Sequence, residues 1–332
     1  MKNTPELTIE TLTNITFYKF VEIKDLKALK EKLDAYVLDE NKILRGKILV
    51  AGEGITGYMS GLKTDIKEFE DFIHSIEGFE DIWFKHNPTN RLNSKRMNVK
   101  IRKETITMKK DYDYSNTGTH LSPEKLDEWY ENDEDFVIID TRNDYEYEVG
   151  HFKNAVPLPI KEFTEFPKAM DDIKDKVKGK KIVTYCTGGI RCEKATAWMK
   201  ENGYEDVYQV EGGIVNYGLK RGQGNWEGKC FVFDNRGAIS MSEEDQIKEL
   251  NDEQCSVCYV PSTDRHICPQ CSVEFTMCPK CMPLMDNCCS KFCRNKMRSL
   301  KNGEIRSSLD NYEEQQKALD QLLLYFYLVV FF

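Results

Sequence analysis

Residues 181–192 read KIVTYCTGGIRC: an apolar run ending in Cys186, then Thr187, Gly188, Gly189, Ile190, Arg191 and Cys192, after which a helical pattern begins. A thiol at the carboxyl end of a buried strand and just ahead of a helix lies where backbone amides and the positive end of the helix dipole converge. The amides of Thr187, Gly188, Gly189 and Ile190 are expected to surround the Cys186 sulfur and favour the thiolate, the form that reacts. Arg191 adds a permanent cation, able to bind an anionic substrate group or to steady the sulfur. The competing reading is a small buried hydrophobe closing a strand, but a core has no use for paired glycines and a guanidinium. Cys192 falls in the first helical turn, either as a packed thiol or as a resolving partner for Cys186.

A second chemistry is written in cysteine spacing. Of the 12 cysteines, nine form the pairs Cys255-x-x-Cys258, Cys268-x-x-Cys271 and Cys278-x-x-Cys281 and the cluster Cys288, Cys289 and Cys293. Such spacing suits tetrahedral metal sites, nine sulfurs suffice for two of them, and structural zinc is the expected ion. Sequential and cross-braced pairings both satisfy the spacing. A loop-rich region of this size lacks the apolar mass to fold without a metal.

The formal charge of −9 speaks against a general polyanion binder, yet residues 85–110 carry nine basic residues against one acid, Glu104. That excess is a candidate electrostatic footprint for a polyanion, centred on Lys95, Arg96, Lys100, Arg102 and Lys103. Lys291, Arg294, Lys296, Arg298 and Lys301 make a later basic run, a type that singly is most often a solvated face.

The elements that must position these groups fall into domains at 1–115, 116–222 and 223–332. Apolar periodicity predicts strands at 15–23, 43–51, 55–60 and from 81, with a further alternating strand around 97–102. Helical spacing joins Leu26, Leu29, Leu33 and Tyr36, and again Ile66, Phe69, Ile73 and Ile76. This order predicts a ferredoxin-like α+β domain, helices on one face of an antiparallel sheet, with Lys100 and Arg102 on the same side of their strand. The glycine turn at 52–57 has dinucleotide-fingerprint spacing, but a strand follows it rather than a helix, so it reads as a plain turn. Ser122 and Pro123 mark a helix start. Strands at 136–139, 181–186 and 206–210 alternate with helices, which predicts a parallel α/β sheet with Cys186 at its ligand-binding, carboxyl edge. The last eleven residues, 322–332, are wholly apolar or aromatic and too short for a spanning helix of about twenty.

The loop CTGGIRCEKA at 186–195, with GTHLSP at 118–123, DTRNDYEYEVGHFKNAV at 140–156, WEGKCFVFDNR at 226–236 and CCSKFCR at 288–294, resembles the rhodanese-domain tRNA uridine hydroxylases. The likeness runs from about residue 15 to about 300; only the apolar tail departs from it. The resemblance implies a rhodanese-like central domain, Cys186 as the essential residue, Arg191 as the loop-closing cation, and Asp140 and Arg142 as braces of the loop. Glu146 and His151 look like framework residues. It implies 5-hydroxyuridine formation at the wobble position, with molecular oxygen as co-substrate and a tRNA anticodon stem-loop as partner. Neither DNA nor a membrane span is expected.

The expected chemistry is addition of the Cys186 thiolate to C6 of uracil, with the loop amides and Arg191 stabilising charge on O4. A persulfide or sulfenate on Cys186 is an open variant, and nothing in the sequence marks a flavin, haem or iron site. The rivals are a thiosulfate-type sulfurtransferase using the same cysteine and a zinc-organised RNA-binding scaffold without catalysis. The first ten residues hold no secretory signal, and the cysteine usage suits a reducing compartment, so a cytoplasmic location is expected.

Overall fold

The computed structural model describes residues 8–109, 113–234, 236–251, 255, 257, 262–272, 274–289, 293–294 and 297–298. The chain divides into two compact units, Met1–Asn251 and Asp252–Phe332.

The first unit opens with β1 (Leu12–Phe20), α1 (Leu26–Val37), β2 (Leu44–Ala51), β3 (Gly54–Leu62), α2 (Lys63–His74), β4 (Lys85–Pro88) and β5 (Met97–Ile101). Asp25 caps α1 by accepting from the Ala28 amide at 2.9 Å. Alternation along the strands sends Ile15, Phe17, Ile48, Val50, Ile55 and Met59 into one core with Leu29, Leu33, Ile66 and Phe69 of the two helices. The opposite face presents Thr16, Tyr18, Lys47, Leu49, Thr56 and Tyr58, half-buried and mostly polar. The sheet order is β4-β1-β3-β2-β5. It departs from the expected all-antiparallel sheet, because β5 runs parallel to β2. Residues 89–96 carry the chain from the β4 edge to the far edge, so β5 returns opposite to β4, which is the direction of β2.

Next come β6 (Thr119–Leu121), α3 (Pro123–Glu131), β7 (Phe136–Asp140), α4 (Asp144–Tyr147), β8 (Gly150–Phe152), β9 (Val156–Pro157), α5 (Phe166–Val177), β10 (Lys181–Tyr185), α6 (Ile190–Glu201), β11 (Val207–Val210) and α7 (Gly213–Arg221). Five of these strands form a sheet in the order β6-β11-β10-β7-β9, parallel throughout. Successive residues feed two cores: Ile138 and Val183 pack with α3 and α7, Ile139 and Ile182 with α5 and α6. Buried on both faces, the strands are continuously apolar, as a parallel sheet requires. The unit closes with β12 (Trp226–Gly228), β13 (Cys230–Phe231), β14 (Ala238–Ile239) and α8 (Glu243–Asn251). These residues pack with the preceding elements, β12 pairing with β8 and Cys230, Ile239 and Met241 joining the core of α3 and α7.

The second unit contributes β15 (Arg265–Ile267), β16 (Glu274–Thr276) and α9 (Cys281–Leu284), short elements around its cysteines. Among the described residues no helix is long and apolar enough to cross a membrane. The tail 322–332 lies outside the described residues.

The two five-stranded sheets of the first unit are joined by charge. Lys194 of α6, 0% exposed, pairs with Glu53 at 2.8 Å and Glu104 at 2.7 Å. Glu53 also accepts from the Thr105 amide and hydroxyl, both at 2.7 Å, and Glu104 from the Met108 amide at 2.9 Å. Removing one partner of a buried ionic cluster strands the others. Lys194→Met is therefore expected to cost about 3 kcal/mol and to lower the thermal unfolding midpoint by several degrees. An unchanged midpoint would show that the cluster does not hold the domains together.

Candidate active site

β10 delivers Cys186 to the carboxyl edge of the parallel sheet, and α6 begins four residues later. The intervening turn depends on two glycines. Gly189 caps α6 at φ +100°, and a Cβ there would lie 2.8 Å from the Tyr18 hydroxyl. Gly213, at φ +69° in the first turn of α7, sits so close that a Cβ would meet the Cys186 carbonyl oxygen at 2.4 Å. This approach lets the Ile214 amide donate to Cys186 O and the Val215 amide to Thr187 O, both at 3.0 Å. A Cβ on Gly188 would meet nothing within 4 Å.

The Gly189 amide donates to the Cys186 sulfur at 3.1 Å. Four loop amides were expected to do so; those of Gly189 and Arg191 reach the sulfur. Burial pushes the Cys186 thiol up, but a hydrogen bond from Cys192, the Arg191 charge and these two amides together hold it down at about 6. Cys192, buried beside it, is raised well above the ordinary thiol range, by burial first and then by the neighbouring sulfur. One proton is thus shared unequally, leaving Cys186 as the thiolate.

Arg191 is fully engaged. Its Nη1 and Nη2 donate to the two Glu146 carboxylate oxygens at 2.7 and 2.8 Å, with both side chains buried. α4 supplies Glu146, whose Oε2 also accepts from the Asn143 amide at 3.2 Å. Of the two roles the sequence left open for Arg191, binding an anionic group or steadying the sulfur, its charge serves the second, while Glu146 is tied to it in one ion pair, because a buried guanidinium needs a carboxylate. Asp140 and Arg142 lie at the end of β7. Arg142 binds Asp140 through Nε at 2.9 Å and donates to Gly150 O at 2.6 Å, its guanidinium between the rings of Tyr185 and Trp226. His151 stacks on Tyr147.

A cavity of about 430 Å³ brings the reactive loop and the first domain together. Cys186, Thr187, Gly188, Ile190 and Arg191 form one wall; Thr16, Tyr18, Lys47, Leu49, Tyr58 and Lys85 form the other. Val232, Phe233, Asp234 and Arg236 close the side. The size falls in the usual ~300–1,000 Å³ range for small-ligand sites. Cys186 is buried, and it is one of the residues lining this cavity.

Lys95, Arg96, Lys100, Arg102 and Lys103 are all exposed. Lys100 and Arg102 act on Lys47, whose pKa falls through burial first and then their like charge. The basic strand therefore continues inward to the cavity through Lys47. Nothing in the sequence pointed to Lys47 or Tyr18; it showed Lys85 only as part of the basic block and 232–236 only within the stretch that carries the resemblance, neither as lining a cavity. For the last a signal existed: Asp234-x-Arg236 repeats the Asp140-x-Arg142 pattern.

In the second unit the Sγ atoms of Cys268, Cys271, Cys289 and Cys293 lie within 4.8 Å of one another, as do those of Cys255, Cys278 and Cys281. Either cluster could hold a metal ion. Cys258 lies outside the described residues. Cys288, named with the others as a ligand, is buried beside the first cluster but is not one of its converging sulfurs; its thiol turns to the Asp286 carbonyl at 3.6 Å.

Residues 12–105 match the UPF0176 acylphosphatase like domain, 122–220 the Rhodanese-like domain and 227–294 the Rhodanase C-terminal family. The chain is thus a rhodanese-domain protein with an acylphosphatase-like partner domain and a cysteine-rich end. It is 44% identical over 234 residues to a tRNA uridine(34) hydroxylase of Legionella pneumophila (strain Paris), covering 68% of this chain and 89% of that one. A protein of the same name from Cytophaga hutchinsonii is 35% identical over 287 residues, 84% of this chain and 89% of the other. The chain belongs to the tRNA uridine(34) hydroxylase family.

Alkylation of Cys186 by iodoacetamide, followed on its own peptide by mass spectrometry, is expected to speed up through a pH of about 6 and to level off above it. Free cysteine keeps accelerating to about pH 8.5. Arg191→Met should move the midpoint upward. A wild-type midpoint at the free-thiol value would show that the loop does not stabilise a thiolate.

Proposed function

We propose that this protein hydroxylates C5 of the wobble uridine of tRNA, with Cys186 as nucleophile and molecular oxygen as co-substrate. The observation that carries the reading is a thiol of lowered pKa in the wall of a nucleotide-sized cavity whose opposite wall is a basic sheet. The names of the relatives agree with it.

An anticodon stem-loop would dock its phosphates on Lys100 and Arg102, with Lys95, Arg96 and Lys103 beside them, a contact blind to sequence. The unpaired wobble base then turns into the cavity at small unstacking cost. Thiolate addition forms the S–C6 bond, breaks the C5=C6 π bond and moves that electron pair to an O4 enolate. The enolate carbon C5 takes up dioxygen as a hydroperoxide. Loss of the C5 proton and of the Cys186 thiolate restores the double bond. Two thiols reduce the hydroperoxide to the hydroxyl, giving water and a disulfide. Cys192, hydrogen-bonded to Cys186, is the nearest second thiol.

The four sulfurs of Cys268, Cys271, Cys289 and Cys293 suit zinc. Zn–S bonds of about 2.3 Å at tetrahedral angles place sulfurs roughly 3.8 Å apart, and Cys271–Cys289 and Cys289–Cys293 are 3.5 and 3.7 Å apart. Cys255, Cys278 and Cys281 would hold a second ion, and the Cys255-x-x-Cys258 spacing of the sequence offers it a fourth sulfur. That assignment is cross-braced, with alternate cysteine pairs sharing an ion, and zinc there would organise the fold rather than react.

Purified protein and unmodified tRNA should yield 5-hydroxyuridine by nucleoside mass spectrometry, and Cys186→Ser protein should yield none. Undiminished product from the variant would remove Cys186 from the chemistry; thiocyanate from thiosulfate without tRNA product would favour a sulfurtransferase. Replacing Lys100 and Arg102 by Glu should weaken tRNA binding and reduce the slope of log affinity against log salt by about two. An unchanged slope would place the RNA elsewhere.

A further inference from the structure

We infer that Lys85, on the first strand residue of β4, is the cation that meets the developing O4 charge of the uracil above Cys186, and that Arg191 is not. This rests on the proposed function and adds a residue from the other domain to the reaction.

Four cationic side chains among the described residues line the cavity: Lys47, Lys85, Arg191 and Arg236. Arg191 is neutralised by the Glu146 fork. Arg236 is forked on Asp234, through Nε at 3.0 Å and Nη2 at 2.7 Å, and its unpartnered Nη1 is a donor on a neutral pair. Lys47 is half-buried and stands on the side of Lys100 and Arg102, where a phosphate would pass. Lys85 is different. It is 3% exposed and has no carboxylate partner among the described residues.

The fold holds Lys85 there without neutralising it. In the β1–β4 pairing it lies opposite Thr16, beside Tyr18 on the face turned to the reactive loop. Its Nζ stands 4.9 Å from the Tyr18 ring centroid and 4.7 Å from that of Trp83. Both rings are wedged against the loop glycines: Tyr18 against Gly189, Trp83 against Gly212. Ring faces attract the charge but accept none of the three N–H donors directionally. Lys85 lines the cavity, so ammonium donors that no side chain takes face open space there. An oxygen that becomes anionic during the reaction satisfies both the charge and the donors. Burial lowers the Lys85 pKa to about 8 against the opposing pull of Cys186 and Glu193, so it remains protonated near neutrality.

The chemistry asks for this group. When sulfur bonds to C6, the displaced π pair comes to rest on O4, and a hydrogen bond from the Lys85 ammonium holds it there while C5 reacts. The interaction is stronger in the enolate than in the neutral base, which is what accelerates a step. Losing one such donor typically costs about 10²–10³ in rate.

The test uses the full chain as wild type, Lys85→Met and Lys85→Arg. With tRNA, Lys85→Met should lower the saturating hydroxylation rate about 100-fold while tRNA affinity stays within about threefold; Lys85→Arg should recover most of the rate. Because the substitution removes an unneutralised buried charge, Lys85→Met should unfold at no lower temperature than wild type. In a second arm without tRNA, Cys186 is alkylated by iodoacetate and by iodoacetamide. The ratio of the two rates should fall about tenfold in Lys85→Met, since only the anionic reagent feels the cation. A Lys85→Met protein that hydroxylates within about threefold of wild type, or an unchanged alkylation ratio, overturns the inference. Wild-type protein that makes no 5-hydroxyuridine overturns the proposed function instead, and the alkylation ratio then decides the Lys85 charge independently.

Discussion

The first turn of α6 is the point on which the architecture turns. Arg191, Cys192, Glu193 and Lys194 follow one another, and all four are buried. A helix places successive residues about 100° apart, so the four side chains leave the axis in different directions and each meets a separate partner. Arg191 reaches Glu146 within the rhodanese-like domain, and Cys192 reaches Cys186. Glu193 accepts from Tyr18 of the first domain at 3.0 Å, from His120 at 3.0 Å and from Gln209 at 2.8 Å. Lys194 takes Glu53 and Glu104. The same turn that presents amides to the sulfur thus also fixes the first domain over it, so the cavity and the thiolate are products of a single helix start.

Buried ion pairs contribute little net stability, because desolvation offsets most of the attraction. Their worth here is geometric. A misplacement of one ångström at a reacting centre costs far more in rate than the pairs cost in stability. Two Asp-x-Arg forks of the same form belong to this framework: Asp140 with Arg142 beneath the loop, and Asp234 with Arg236 at the side of the cavity. In each, the Arg amide and Nε share one carboxylate oxygen while Nη2 takes the other, so the fork locks its own turn and needs no distant support.

What was legible in the sequence was local. The strand, glycine turn and helix around Cys186 are specified by neighbours within a dozen residues, and so are the Ser122 cap and the cysteine knuckles. The parallel order of the central sheet followed from alternation of short apolar runs with helices. What escaped depends on pairs far apart in the chain. Glu146 lies 45 residues before Arg191, and no spacing rule connects them; a Glu-Lys pair at the start of a helix ordinarily reads as solvated, whereas Glu193 and Lys194 are interior. The basic block from Lys85 was visible as charge, but only the β1–β4 pairing separates Lys85, turned inward beside Tyr18, from the exposed Lys95 and Arg96. The cysteine pairing was likewise open until the folded chain brought Cys268 and Cys271 to Cys289 and Cys293.

Two thiols buried side by side would ordinarily both be inert, since burial alone favours the neutral form. The loop breaks that symmetry by giving its donors to one of them. Cys186 receives the Gly189 and Arg191 amides, the Arg191 charge and the Cys192 proton, while Cys192 faces the hydroxyl of Thr141 at 3.8 Å and bears the repulsion of a neighbouring thiolate. The arrangement separates a thiolate from a protonated neighbour, the same device by which paired carboxylates divide base and acid roles elsewhere. Neutralising Arg191 with Glu146 belongs to this logic: the guanidinium still favours the thiolate through space, yet it cannot swing away to bind a phosphate. The cationic side chains of the facing sheet run from Lys85 and Lys47 at the cavity to Lys100 and Arg102 at the surface, where the proposed function would use them.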